Sequence, residues 1–459
     1  MGQSQGTHLF STLPVVAERE AGLQMLREFV PFALGYAESR NFDRPGNPGT
    51  SGLSPFIRTR LVREREAVEA VLRRYPYLDV SRFIEEICWR TYWKGFLEMR
   101  PSIWDHYLEE SVRLPGCLVP PQDSTWERAR DGQTGIGCFD AWAAQLRSTG
   151  WLHNHARMSF ASIWIFTLRL PWQLGAAFFL EHLLDGDPAS NTLSWRWVAG
   201  LHTPGKHYLA RAENIRRFTE GRFFPDGQLN ENAEPLPPDN LPDPSPLPQV
   251  PTPEKTAFPS LSKSPAGLLV TPEDLSPEIG ELAETPFSTF AVFNAIDRME
   301  ETGASPMVRE FLDGAVADTA RRISGNWSAR SLSCRGSVER VRCSARPENV
   351  GCHEMPRVYW GCLDHWIDGV VTWADNENLK SVWMFQPPVG AWRSATQSLR
   401  CALRARNIEL LEFRRKWDAL HWPHAHGGYF SFRKGLWDRL KALSPGIAVR
   451  EPADTGSYR

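Results

Sequence analysis

Apolar positions recur at helical spacing through the first half of the chain. Leu23, Leu26, Phe29 and Val30 share one face of a helix predicted over 21–36, and a second helix is predicted over 81–99. Residues 56–74 read as a further helix in which Arg58, Arg60, Arg63, Arg65, Arg73 and Arg74 alternate with acids, the pattern of a solvated face. Residues 103–130 show no clean period and read as loop-rich. The longest apolar run, Phe160 to Leu184, is interrupted by Arg169, Pro171 and Gln173. A proline inside a helix removes a backbone donor and restricts the residue before it, so this run predicts two buried helices that break before Pro171, not a membrane span.

The pattern changes after residue 225. Over 226–265 prolines recur every few residues, which favours extended, semi-rigid chain and marks a linker. Residues 286–323 suggest helices, including one over 308–323, while 324–356 has no period and stays unassigned. Two short apolar strands, Ser381–Phe385 and Ile408–Phe413, flank a helical stretch over 390–406. That is a β-α-β unit, which implies a right-handed crossover and a parallel sheet. The glycine in the loop Gln386-Pro387-Pro388-Val389-Gly390 makes it a weak candidate for a ligand cup. The expected organisation is a mostly helical domain over 1–225, a linker over 226–265 and an α/β domain over 266–459.

Composition excludes several classes. The formal net charge of −2 leaves no global basic footprint, so a nucleic-acid surface has to be a local patch. Lys206, Arg211, Arg216, Arg217 and Arg222 form the best such patch, with a capped surface helix as the plain alternative. The eight cysteines contain no CxxC pair, which fits a reducing cytosol; Cys334, Cys343, Cys352 and Cys362 are too irregularly spaced for a metal site, and no metal is expected. No charged stretch followed by an apolar run opens the chain, so a cytoplasmic location is expected. Nineteen tryptophans are unusual; a large aromatic core is the favoured reading of them, with redox relays and base stacking as the alternative.

The chemistry concentrates in a few motifs. Thr50-Ser51-Gly52-Leu53-Ser54-Pro55 closes a Gly/Pro/Asn loop, where backbone N–H groups ahead of a helix offer an anion site. Glu86, Trp89 and Arg90 fall at i, i+3 and i+4 on one helix face, where the acid and the arginine are placed to pair. Asn154 and Arg157 share a face, and Asp185, Asp187 and Asn191 follow in a Gly-Asp-Pro turn and the start of the next helix. Burial of Arg157 would demand a carboxylate partner, Asp185 or Asp187.

The order and spacing of these pieces, from Thr50–Ser54 through Glu85-Glu86-Ile87-Cys88-Trp89-Arg90, Trp151-Leu152-His153-Asn154-His155-Ala156-Arg157-Met158 and Asp185-Gly186-Asp187 to Trp195-Arg196-Trp197, resemble the flavin-binding helical domain of the photolyase and cryptochrome family over residues 10–225. The resemblance implies FAD, bent within a helical bundle. It places Thr50, Ser51, Leu53 and Ser54 on the pyrophosphate, Tyr36 and Arg90 against the cofactor, an Arg157–Asp185 ion pair over the ring system, Asp187 as acceptor for N3–H and Asn191 near N5. It implies a lesion pocket of Glu86, Trp89, Asn154, Met158 and Trp197, with Trp195 and Trp172 as the first two members of an electron relay and Trp126 a candidate third. The implied partner is DNA carrying pyrimidine dimers, and the implied activity is a deoxyribodipyrimidine photo-lyase that uses light and reduced flavin. The alternative is a blue-light receptor without repair activity, and a (6-4) specificity stays open because His153 and His155 flank Asn154.

Two departures concern DNA: Ala212-Glu213-Asn214-Ile215 replaces the usual Phe-Asn-Pro element, and His155 stands where an arginine often grips phosphate. The antenna domain that normally precedes the flavin domain has no room ahead of residue 10. The C-terminal β-α-β region is therefore expected to be its permuted or reduced counterpart, with the antenna chromophore unknown.

Overall fold

The computed structural model describes residues 15–444, apart from 47–48, 204, 240, 254–264, 295–303, 329–357 and 361–362. The four loosely clustered cysteines and most of the unassigned 324–356 stretch lie outside the described residues.

The first half is a helical bundle built around the long helix Tyr77–Glu98, which starts directly after Pro76 and buries most of its residues. Its Gly95 sits where a Cβ would come within 2.9 Å of Ala425 and Trp422, so only glycine lets the C-terminal segment approach this closely. The apolar run breaks as its sequence predicts. Helix Asn154–Ser162 passes through a π-type turn, Ile163–Thr167, before Trp172–His182 restarts immediately after Pro171.

Residues 103–130 depart from the loop-rich expectation: they hold helices Ser102–Arg113 and Gln122–Asp131. The first buries only Ile103, Trp104 and Tyr107 and the second only Ala129, so the apolar period is too sparse to read. Residues 56–74 also differ. Two short helices, Ser54–Arg58 and Glu64–Leu72, are separated by a bend at Arg60, whose φ is +56°. Arg60 is buried, pairing with Asp418 at 2.7 Å and with Glu64 and Asp274 at 3.4 Å. The expected solvated face is therefore in part a buried seam, because acids far along the chain meet these arginines. Arg65 and Arg73 keep the solvated role.

The second half carries a five-stranded parallel sheet in the order β3-β2-β1-β4-β5, with β1 Ala266–Val270, β2 Thr289–Asn294, β3 Val358–Trp360, β4 Ser381–Phe385 and β5 Glu409–Phe413. β1 reads Ala-Gly-Leu-Leu-Val and is buried throughout, as a central parallel strand covered on both faces must be. The β4–helix–β5 unit matches the expected pattern, its helix running Ala391–Arg404. Residues 286–323 are not all helical. Thr289–Asn294 is β2, and Pro306–Ser328 supplies the helix.

The proline-rich stretch, where described, opens with turns over 226–232 and then runs as irregular chain pinned to both halves. Arg196 pairs with Asp239 at 2.6 Å, Ser245 N–H donates to Met99 O at 2.8 Å, and Arg414 N–H donates to Pro251 O at 2.9 Å. The largest apolar cluster draws on both halves, with members from Met25 to Leu443, and a second cluster, including Leu269, Phe293, Trp366 and Leu410, packs against the sheet. Among the described residues no helix is long and apolar enough to cross a membrane.

Candidate functional site

One cavity of about 480 Å³ opens in the helical half, within the ~300–1,000 Å³ range of ligand clefts. Its lining gathers Tyr36, Thr50, Ser51, Leu53, Ser54, Glu86, Trp89, Arg90, Asn154, Arg157, Met158, Asp185, Asp187, Asn191, Trp195 and Trp197. These residues are up to 161 positions apart in sequence. Trp172, the candidate third relay residue Trp126 and His155 do not line the cavity.

The floor is the turn Asp185-Gly186-Asp187. Asp187 caps helix Pro188–Ala199, its carboxylate accepting from Ser190 N–H at 2.8 Å, with Pro188 in the first turn where a missing N–H does no harm. Arg157 Nη1 lies 3.0 Å from Asp185, the pair expected from the sequence. Arg90 lies 3.8 Å from Asp185 and 3.7 Å from Asp187, while Lys94 Nζ is 3.4 Å from Asp187. Burial pushes both carboxyls up, but the cations outweigh it and hold both below the usual carboxylate range: Lys94, Arg90 and Arg58 for Asp187, Arg157 and Arg90 for Asp185.

Glu86 does not pair with Arg90. The long helix turns Arg90 down to the floor, and Glu86 instead meets Arg40, from just after the Tyr36–Ser39 turn. Burial raises the Glu86 carboxyl above the ordinary range, with Arg40 opposing the shift. At the rim, Asn154 is exposed and its amide points at Met158 Sδ, 3.9 Å away. His153 caps that helix by accepting from His155 N–H at 3.2 Å. Burial pushes both histidines down to about 4, so both are neutral at neutral pH.

The aromatic wall has partners that the sequence did not reveal. Trp89 is stacked on Tyr429, with ring centroids 3.5 Å apart and planes 9° from parallel, and Tyr429 Oη donates to Glu85 O at 2.9 Å. Trp195 meets Trp164 edge-on at 6.2 Å. Trp172 stacks instead on Tyr107 at 5.9 Å. Trp126 is partly buried, beneath the Arg130 guanidinium. Lys94 was within reach of sequence reasoning, since it lies four residues after Arg90 on the same helical face. Arg40, Trp164 and Tyr429 left no local signal.

The basic patch after the cavity is only partly free of partners. Arg222 pairs with buried Asp43 at 2.6 Å and Arg216 with Glu213 at 2.7 Å, on helix Ala212–Phe218. The Gln386–Gly390 loop does not form an open cup: Val389 N–H donates to Glu98 at 2.7 Å, and Gly390 abuts Pro188. A second cavity of about 330 Å³, lined by Arg60, Arg63 and Arg415 among others, is an ion-pair crevice whose arginines already hold carboxylates. Among the described residues no group of three or more His, Cys, Asp or Glu is arranged to hold a metal.

Residues 83–228 match the family model for the FAD binding domain of DNA photolyase. Over these 146 of the 459 residues the chain is similar to the FAD binding domain of DNA photolyases. The deoxyribodipyrimidine photo-lyase of Escherichia coli K12 is 32% identical over 207 residues, covering 44% of this chain and 43% of that protein. The protein of the same name from Agrobacterium fabrum is 34% identical over 183 residues, covering 39% and 37%. This chain thus spans less than half the length of these relatives. Among solved structures, a bacterial class III photolyase from Agrobacterium tumefaciens aligns with TM-score 0.38 and 29% identity over 45% of each chain. A Synechocystis cryptochrome aligns with TM-score 0.39 and 24% identity, over 48% of this chain and 46% of that one.

The cavity fits the cofactor of this family. Arg90 Nη1, Ser190 Oγ and Trp195 Nε1 are buried at its wall without hydrogen-bond partners, an arrangement expected of groups shaped for a polar ligand. Packing around Trp195 is tight enough to test. A Cβ on Gly175 would fall 2.3 Å from the Trp195 ring. Gly175→Ala is therefore expected to push this ring toward the cavity and to lower stability by about 1–3 kcal/mol, read as a fall in Tm with weaker FAD retention.

Proposed function

We propose that this chain repairs cyclobutane pyrimidine dimers in DNA, using FAD and blue light, as a deoxyribodipyrimidine photo-lyase. The observation that carries this reading is the convergence of the phosphate-loop, floor and rim residues on one cavity. When bound, FAD supplies the light absorption and the electron, and the protein contributes position and electrostatics.

The residues divide the work by their chemistry. Thr50, Ser51, Leu53 and Ser54 hold the pyrophosphate. Arg157 and Asp185, fixed as a pair, would hold the ring system, and Asp187 would accept from its N3–H. Asn191, anchored by donating to Ala176 O at 2.8 Å, presents a neutral amide near N5. Trp89, Trp197 and Met158 clamp a flipped dimer, whose extraction from the stack takes a few kcal/mol. Asn154 would contact both lesion and cofactor, and Glu86 would hydrogen-bond a dimer carbonyl and stabilise the radical anion. Asn154, and neither flanking histidine, is exposed at the cavity rim, which supports cyclobutane dimers over (6-4) products. Trp195, in the cavity wall, would be the relay member nearest the flavin, and Trp172 would be a further member.

One observation favours a receptor reading instead. His155, at the position where phosphate is expected, is packed on Phe218 with centroids 4.4 Å apart, and Arg222 is committed to Asp43. Blue-light irradiation of the FAD-loaded protein with a dimer-containing oligonucleotide decides between the two. Loss of dimers supports repair; intact dimers with normal flavin photoreduction replace it by the receptor. Trp195→Phe should slow photoreduction of oxidised FAD at least tenfold while sparing repair from chemically reduced protein. Unchanged photoreduction would place the donor elsewhere.

A further inference from the structure

Arg58 ties the cavity floor to the α/β half. Arg58, at the end of the short helix Ser54–Arg58, donates from Nε to Gly186 O at 2.7 Å, at the centre of the Asp185-Gly186-Asp187 turn. Its two terminal nitrogens donate to Glu273 at 2.8 and 2.7 Å, a two-pronged pair, and its Nε lies 3.9 Å from Asp187. Glu273 belongs to the loop after β1, 215 positions along the chain, and is buried. The pair is well shielded, with side-chain exposures of 13% and 9%. Salt therefore screens it weakly, and a unit change of charge there is felt across the floor.

We propose that Glu273 and Arg58 are positioning residues through which the α/β half sets the electrostatic potential at the flavin. The inference rests on the reading that FAD occupies this cavity. The two groups carry opposite charges beside Asp187, whose own cations are Lys94, Arg90 and, in part, Arg58. Removing the negative charge at Glu273 leaves Arg58 with a free valence toward Asp187 and makes the floor more positive. Removing the positive charge at Arg58 leaves Glu273 buried near Asp187 and makes it more negative. Reduction adds negative charge to the flavin, so the two changes move its reduction potential in opposite directions.

A purely structural pair behaves differently: loss of either member loosens the turn, and the two variants resemble each other. The test is a dark redox titration of the full chain loaded with FAD. Glu273→Gln is expected to shift the midpoint potential positive and Arg58→Gln to shift it negative. Each shift corresponds to about a tenfold change in the ratio of affinities for reduced and oxidised FAD, roughly 30 mV for a two-electron couple. Charge-conserving Glu273→Asp and Arg58→Lys should stay near the parent value. The double variant R58Q/E273Q, in which two amides replace the pair, should return close to it and guards against failure of a single variant to fold.

Shifts of the same sign in both single variants, or no shift in either, overturn the proposal. A parent protein that binds no FAD overturns the occupancy reading instead, and the proposal with it.

Discussion

Glu86→Gln is expected to lower the number of dimers split per bound FAD by roughly fivefold while leaving FAD content near normal. Burial raises the carboxyl of Glu86 against the pull of Arg40, so it keeps a proton to higher pH than a free glutamate does. A carboxylic acid donates a stronger hydrogen bond than an amide to a carbonyl on which negative charge develops, and the difference is worth about 1 kcal/mol. The competing account is that Glu86 only anchors Arg40, and through it the end of the Tyr36–Ser39 turn. Under that account the variant loses FAD or Tm, and repair per bound FAD is unchanged. Because the folded carboxyl is raised, native protein holds a proton that the unfolded chain has released. This group's contribution to stability therefore declines as pH rises from the ordinary glutamate range through the raised value, and the glutamine variant lacks that slope.

The largest stability effect is expected at Asp187. Asn at this position still accepts from Ser190 N–H, so the helix cap survives and only the charge is lost. That charge is shared by Lys94, whose side chain is 1% exposed, and by Arg90. Breaking a buried pair from one side leaves an uncompensated charge and costs about 3–5 kcal/mol. Asp187→Asn should therefore lower the urea midpoint sharply, and Asp187→Ala should add about 1 kcal/mol for the missing cap. Parent-like stability in the asparagine variant would show that Lys94 and Arg90 find other partners. The pH dependence follows the same logic with the opposite sign from Glu86. Asp185 and Asp187 are both depressed, so the stability they contribute is present above pH ~4 and is lost as pH falls from the unfolded carboxylate value through their lower folded values. Asp187→Asn should flatten the acid limb of a stability–pH profile.

Local chemistry was readable wherever a residue's partners lie within a few positions. Pro171 removes a donor and breaks the apolar run, and Asp187-Pro188 opens a helix, so both were evident without coordinates. The β4–helix–β5 unit followed from strand and helix periodicity in one short stretch. The cost of burying an unpaired charge called for Asp185 or Asp187 beside Arg157, and the family resemblance chose Asp185. By contrast, Arg58, Arg60 and Arg63 looked solvated because the acids nearest in sequence suffice to pair them. The fold brings Glu273, Asp274 and Asp418 to Arg58 and Arg60 from over 200 residues away. Glu86 and Arg90 share a helix face, yet their carboxylate and guanidinium turn to Arg40 and to the floor, because a side chain's partner depends on which elements pack against the helix. The stacking of Tyr429 on Trp89 is of the same kind. The sequence by itself determined the strongly periodic elements, and the order of its motifs, through the family resemblance, grouped residues that line one cavity; the sparse helices of 103–130 and the strand Thr289–Asn294 escaped it. Only the tertiary structure decided which charges neutralise which, and that the C-terminal half backs the cavity wall, because ion pairing and ring stacking act over a few ångströms of space whatever the distance along the chain.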